Sequence, residues 1–274
     1  MKNLKIALIQ MDVVKDKNEN LKNARKLIDR ASNQGAELVV LPEIFNGPYN
    51  MKLFKDYSEG YPGPSTTMLA NAAKENGITL VGGSITERDR DKLYNTSYIF
   101  GPDGNLLGKH RKVHLFDVDI KGKITFKESD VFTPGDDITV IDTVFGRIGV
   151  CICYDIRFPE LARLMAMRGA EVIIVPAAFN TTTGPAHWHT TTRQRAVDNQ
   201  VYYGICSPAR SKGKGYKSYG HTMIVDPWGE VIAEADIDEE IIFGEVDFKE
   251  IHRIRQELPL LNHLRDDIYE IIKK

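Results

Sequence analysis

Apolar positions along this chain follow two alternating patterns. KIALIQMD (5–12), ELVVLPE (37–43), RIGVCICYD (147–155) and EVIIVP (171–176) are short, nearly unbroken aliphatic runs. Runs of this kind predict strands buried on both faces, as in parallel sheets. Between them the apolar residues recur every three or four positions. Leu21, Ala24, Leu27, Ile28 and Ala31 share one helical stripe, and Leu161, Leu164 and Met165 share another that leads to Arg168. Gly35 and Gly169 stand where a helix C-terminus favours glycine, and Pro159 is placed to open the second helix. The pattern predicts strand–helix–strand, twice.

The two units are near-copies. GAELVVLPE at 35–43 returns as GAEVIIVPA at 169–177. The echo continues in IFGPDGNLL (99–107) and IVDPWGEVI (224–232), where Pro and Gly take turn positions and predict hairpins. Ser65 is placed to cap a helix over Met68–Ala73 that ends at Gly77, and Pro185 to open one running through Trp188, Arg195 and Ala196. Each half therefore reads as βαβαβ plus a hairpin. A sheet with helices on one face must bury its other face. The economical arrangement packs two such sheets together, giving an α/β fold with four layers, an αββα sandwich. No Gly/Ser-rich linker divides residues 1–274, so one domain is expected. Ligands in such sheets collect beyond the carboxyl ends of parallel strands. There the first copy carries Glu43 where the second has Ala177, and Cys153 ends the other strand of the second half.

Composition narrows the function classes. The chain is 42% hydrophobic and 27% charged, with a net charge of −2, which gives no electrostatic reason to expect nucleic acid or an anionic membrane as partner. No apolar run approaches the ~20 residues of a membrane helix. The N-terminal run is broken by Gln10 and Asp12, too early for a secretory signal. Cys151, Cys153 and Cys206 are too few and too clustered for a disulfide framework. The expectation is a cytoplasmic protein with reduced thiols.

A thiol at a strand-to-helix turn is exposed beside backbone N–H donors, which favours Cys153 as a nucleophile. Cys151 lies deeper in the same strand and Cys206 in the run VYYGIC, so both read as core. Glu43 follows a buried strand and Pro42, and its plain alternative is a surface carboxylate. Lys112 sits in KHRKVHLFD, and its alternative is a solvated basic loop. Together they form the carboxylate, cation and thiol set of a cysteine amidase. Cys151-x-Cys153 lacks zinc-knuckle spacing, and neither His110 with His114 nor His187 with His189 comes with a carboxylate motif. No metal and no cofactor are expected. G-x-S-x-G, P-loop and G-x-G-x-x-G motifs are all missing from the sequence.

LPEIF, KHRKVHLFD and GVCICYDIRFPEL resemble, in order and spacing, the three signature regions of the nitrilase superfamily of carbon–nitrogen hydrolases. The likeness spans nearly the whole chain. HLFDVDIKGKITFKESD, FNTTTGPAHWH and QRAVDNQVYYGICSPAR are similar to the omega-amidase branch, while AAFN and RFPE depart modestly from its usual phrases. The resemblance implies an αββα enzyme that commonly dimerises or assembles further. It places the family's catalytic Glu, Lys and Cys on Glu43, Lys112 and Cys153, and a second carboxylate on Glu128 that positions Lys112 or the water. It further implies that Arg157 and Thr183 hold a substrate carboxylate and its oxo end, with Tyr49, His114 and Phe179 shaping the pocket. A salt bridge from Arg157 to Asp155 or Glu160 is the structural alternative.

Hydrolysis of the terminal amide of a small carboxylate, 2-oxoglutaramate or 2-oxosuccinamate, through a thioester is then expected. Glu43 would act as base, Lys112 and the Tyr154 backbone N–H as oxyanion donors. A deaminated-glutathione amidase, an N-carbamoyl amine amidohydrolase and a non-catalytic oligomerisation module are the competing readings.

Overall fold

The computed structural model describes residues 3–270 apart from 123 and 214. In the first half, β1 (Leu4–Gln10), β2 (Leu38–Val40) and β3 (Thr79–Val81) lie parallel. They are linked by α1 (Lys17–Asn33) and then by the single turn α2 (Phe54–Tyr57) followed by α3 (Pro64–Asn76). β4 (Ile85–Asp89), β5 (Lys92–Phe100) and β6 (Leu106–Arg111) add antiparallel strands. A separate ribbon follows, β7 (Asp117–Ile120) with β8 (Ile124–Lys127).

The second half repeats the plan. β9 (Thr139–Thr143) pairs antiparallel with β10 (Gly146–Val150). Then α4 (Pro159–Met167), β11 (Val172–Pro176), α5 (Gly184–Asn199) and β12 (Tyr202–Cys206) complete a parallel trio, and β13 (Met223–Val225) with β14 (Val231–Glu234) forms the hairpin. The last strand, β15 (Glu240–Val246), crosses back to pair antiparallel with β1 from Leu4↔Val246 to Gln10↔Glu240, and α6 (Phe248–Glu257) follows it.

Strand periodicity explains why the aliphatic runs carry no polar break. In β1, Ile6 and Leu8 face the other sheet while Ala7 and Ile9 face the helices. Leu38 and Val40 meet Val150, Val172 and Ile174 in the central layer. Val39 packs under Ala24 and Leu27 of α1 and Leu69 and Ala72 of α3. On the far side, Ile173 and Val175 pack with Leu161 and Met165 of α4 and Trp188 of α5. The layers are helix, sheet, sheet, helix, as expected.

The repeated phrases take matching backbones. Gly35 and Gly169 follow the caps of α1 and α4 at φ +86° and +88°, a left-handed turn that favours glycine. Both predicted hairpins form, closed by the Gly101 N–H on Asn105 O and the Asp226 N–H on Glu230 O, each 2.9 Å. The cap of α3 differs from expectation. Pro64 pre-sets the first helical φ, so the helix starts before Ser65, and Gly63 exchanges hydrogen bonds with the Thr66 hydroxyl. Ser65 instead donates to Glu59 Oε1 (2.7 Å). Among the described residues no helix is long and apolar enough to cross a membrane.

Candidate active site

Four segments converge beyond the carboxyl ends of the strands. Glu43 lies just past β2, Lys112 directly after β6, Glu128 at the start of a 3-10 turn after β8, and Cys153 at the start of another (Cys153–Arg157) after β10. The basic run divides by strand period. Lys109 and Arg111 point one way and pair with Glu87 at 2.6 and 2.8 Å, while His110 and Lys112 point inward and are 1% exposed. Lys112 is therefore not a solvated loop residue.

Lys112 Nζ lies 3.0 Å from Glu43 Oε1 and 2.9 Å from the Glu128 carboxylate. Glu128 also accepts from the Tyr49 hydroxyl (2.7 Å) and the Phe116 N–H (2.8 Å). Asn95, on β5, donates to Glu43 Oε1 at 2.8 Å. Glu43 Oε2 is buried and has no hydrogen-bond partner among the described residues. An ammonium carries three protons. Two of those on Lys112 are committed to the carboxylates, which leaves one for a ligand.

Burial and charge set the protonation states. Burial raises the Glu43 carboxyl, Lys112 opposes the rise, and Glu128 and the neighbouring Cys153 thiol act on it as well. Burial and then the Glu43 charge push the Cys153 thiol well up, against Lys112 and the Ala178 backbone N–H. Burial alone would lower Lys112, yet the charges of Glu128 and Glu43 hold it well above the ordinary lysine range. The resting site thus holds a thiol, an ammonium, and a carboxylate with raised proton affinity. That is the arrangement in which a base takes a proton as sulfur attacks.

The backbone around both ends is strained. Cys153 has φ +48° and the β-branched Ile44, next to Glu43, has φ +50°. The Ser84 hydroxyl accepts the Ile44 N–H at 3.0 Å and Ser84 N–H donates to Pro42 O at 3.2 Å, which pins the Glu43 turn. The Cys153 turn is pinned by Asp155. Its Oδ2 accepts from the Ile152 N–H (3.0 Å) and meets His110 Nε2 (3.1 Å), while Oδ1 accepts from the His114 N–H and meets His114 Nδ1, both 2.8 Å. Asp155 thereby ties the segment after Lys112 to the turn that carries the thiol. The Asp155 N–H is the first in that turn to find a carbonyl, Ile152 O, so the Tyr154 N–H precedes the helical ladder.

Burial would raise the Asp155 carboxyl, but hydrogen bonds from His110 and His114 overcome it and hold the group below the usual carboxylate range. A depressed carboxyl stabilises the fold above its unfolded value, about 3.9, and loses that contribution as pH falls toward the folded value. Asp155→Asn should therefore lower unfolding free energy at neutral pH by on the order of 1.5–3 kcal/mol, a charged hydrogen bond's worth. The difference from wild type should shrink below about pH 4. Denaturant titrations of both proteins across pH check this, and a difference independent of pH contradicts it.

Tyr49, Cys153, Tyr154, Arg157, Phe179 and Thr183 line one cavity. Arg157 makes no ion pair with Asp155, whose oxygens are taken. Its guanidinium lies 4.7 Å over the Phe179 ring and its Nη1 is 2.9 Å from His187 Nδ1, and Nε is buried without a partner among the described residues. His114, expected to shape the pocket, is turned to Asp155 and stacks on Phe158 at 3.6 Å. Thr183 donates its hydroxyl to Asn180 Oδ1 (3.3 Å). Sequence reasoning missed Asn95, Asn180, Tyr216 and the clamp role of Asp155. Tyr216 lies 4.6 Å from Tyr49, ring to ring, and its hydroxyl donates to Ala178 O. The one sequence signal available was Asn180 before Thr-Thr, an Asx-turn pattern.

Residues 5–256 match the carbon-nitrogen hydrolase family. Omega-amidase NIT2 of Bos taurus is 52% identical over 274 residues, 100% of this chain and 99% of the relative. The Homo sapiens omega-amidase NIT2 is 49% identical over the same coverage. Among solved structures, Saccharomyces cerevisiae Nit3, a member of branch 10 of the nitrilase superfamily, superposes with TM-score 0.90 at 48% identity, covering 96% of this chain and 97% of that one. The C. elegans NitFhit protein gives 0.90 at 33% identity, over 98% of this chain and 66% of that one.

Proposed function

Because the chain belongs to the carbon–nitrogen hydrolase family, and so acts on carbon–nitrogen bonds other than peptide bonds, we propose that it is an omega-amidase. It would release ammonia from the terminal amide of 2-oxoglutaramate or 2-oxosuccinamate. The observation that carries this reading is one cavity lined by both Cys153 and Arg157, whose Nε is buried and unpartnered among the described residues. Similarity to proteins named omega-amidases supports it.

The chemistry follows from the proton positions. Cys153 Sγ attacks the amide carbon while Glu43 Oε2 takes the thiol proton. The remaining proton of Lys112 and the Tyr154 N–H hold the developing oxyanion. On collapse the C–N bond breaks, the proton on Glu43 passes to nitrogen, and ammonia leaves a thioester. Glu43 then deprotonates a water that attacks the thioester carbonyl. Collapse of the second intermediate expels the sulfur, which recovers its proton from Glu43. Glu128 keeps Lys112 charged and in place throughout.

Arg157 would bind the carboxylate at the far end. A charged bidentate contact contributes on the order of 1.5–3 kcal/mol, or about 10- to 200-fold in kcat/KM. Arg157→Leu is expected to lower kcat/KM for 2-oxoglutaramate by that factor and to change a matched neutral amide little. Lysine at 157 should recover part of the loss, since it keeps the charge without the planar fork. Ammonia release from both amides by wild type and both variants tests this. No release from 2-oxoglutaramate by wild type would remove the omega-amidase reading, and equal losses on the two amides would make Arg157 structural.

A further inference from the structure

Resting on the omega-amidase reading, we infer that Asn180 is a specificity-determining residue, donating from Nδ2 to the 2-oxo oxygen beside the carboxylate that Arg157 holds. Asn180 lies between β11 and α5, and its backbone is fixed on both sides. It bridges to Ser218, the Gly184 N–H donates to its carbonyl at 2.8 Å, and the Tyr219 N–H donates to Phe179 O at 2.7 Å.

The side-chain amide is fixed as well. Three donors converge on Oδ1: the Thr182 N–H (2.8 Å), the Thr183 N–H (2.9 Å) and the Thr183 hydroxyl (3.3 Å). Only an oxygen can accept all three, so the network itself determines which end is the NH2 group. That group points away from the loop. Asn180 is 7% exposed, it lines the cavity of Cys153 and Arg157, and Nδ2 has no partner among the described residues. A buried donor without an acceptor destabilises a fold, and where such a group faces a binding cavity the missing acceptor is supplied by the ligand.

The chemistry of that acceptor follows from its neighbours. Arg157 Nε is also buried and unpartnered among the described residues, so the lining of one cavity includes a cationic guanidinium and a neutral amide donor. An anion suits the first. A neutral carbonyl oxygen adjacent to the anion suits the second. A 2-oxo acid presents both acceptors on neighbouring carbons, and a simple ω-amide of a carboxylic acid presents only the first. Thr183 then acts through Asn180, because its hydroxyl proton orients the amide.

The test compares 2-oxoglutaramate with glutaramate, the same chain with a methylene in place of the oxo carbon. Asn180→Asp retains the acceptor for all three loop donors and replaces the NH2 donor with an acceptor. Asn180→Ser keeps a shorter loop acceptor and removes the donor without adding charge. Both are first checked for native melting. In each, the ratio of kcat/KM for 2-oxoglutaramate over glutaramate should fall about five- to tenfold or more below the wild-type ratio, the size of one neutral hydrogen bond. An unchanged ratio in both folded variants, including an equal loss on both substrates, overturns the inference and leaves the omega-amidase reading standing. A wild type that hydrolyses neither amide overturns both.

Discussion

Cys153→Ala is expected to abolish amide hydrolysis while leaving the protein folded. The sulfur is the only protein atom that bonds the substrate's carbonyl carbon in the proposed sequence, and no neighbour can replace it. Removing a nucleophile of this kind commonly lowers kcat by about 10⁴-fold or more. The fold should tolerate the change, because the surrounding network does not hang on the thiol. Lys112, Glu43, Glu128, Tyr49 and Asn95 bond one another without it. Cys151 is the internal control. Its sulfur is buried 3.9 Å from the Tyr203 hydroxyl, and burial with the Asp155 charge pushes its thiol well up. Cys151→Ala should cost roughly 1 kcal/mol of packing and leave kcat within a few-fold of wild type. Cys206, whose Sγ sits 3.3 Å from Ile9 O, is likewise structural. Steady-state ammonia release and melting curves on the two variants check this, with mass spectrometry for an acyl adduct on Cys153. Native-like melting with equal loss of activity in both variants would refute the nucleophile.

What the sequence made legible, and what it did not, divides along physical lines. The two αβ halves were readable because strands buried on both faces lose polar alternation, and because Gly35 and Gly169 repeat one backbone requirement. β15 was not readable. Its faces are mixed, with Glu240 and Glu245 exposed, and its partner β1 lies at the other end of the chain. Glu43 and Cys153 stand out because each follows a buried strand, and Lys112 because a cation in the basic run completes the carboxylate and thiol set, while Glu128 comes from resemblance alone. The sequence offers His110 and His114 as a possible ligand pair, yet both meet Asp155. That carboxylate is distant from them in sequence, and its nearness to Arg157 along the chain suggests a different pairing. Asn95 and Tyr216 carry no local pattern. Only the pairing of β5 beside the end of β6, with the Lys112 N–H on Asn95 O at 2.9 Å, brings Asn95 to Glu43.

Lys112→Met should lower kcat by ~10²–10³, the usual effect of losing one oxyanion donor, and should also destabilise the protein. The second effect follows from burial. Lys112, Glu43 and Glu128 have side chains that are 0% exposed, so removing the ammonium leaves two carboxylates facing one another without a countercharge. Breaking such a buried pair costs on the order of 3–5 kcal/mol. Two carboxyls in that position relieve the strain by sharing a proton. Lys112 now opposes the rise that burial produces in Glu43, so without it Glu43 holds its proton to higher pH. A base must be deprotonated to act, so the acid limb of residual activity should move to higher pH. Adding Glu128→Gln separates the two roles. The double variant removes one of the facing charges, so it should regain part of the lost stability and move the acid limb back down. It should not regain kcat, because the donor to the oxyanion is still missing. The measurements are kcat against pH and unfolding free energy for wild type, Lys112→Met, Glu128→Gln and the double variant. Near-normal kcat in Lys112→Met would show that the oxyanion is held elsewhere. Recovery of kcat in the double variant would show that Lys112 serves only to neutralise the two carboxylates.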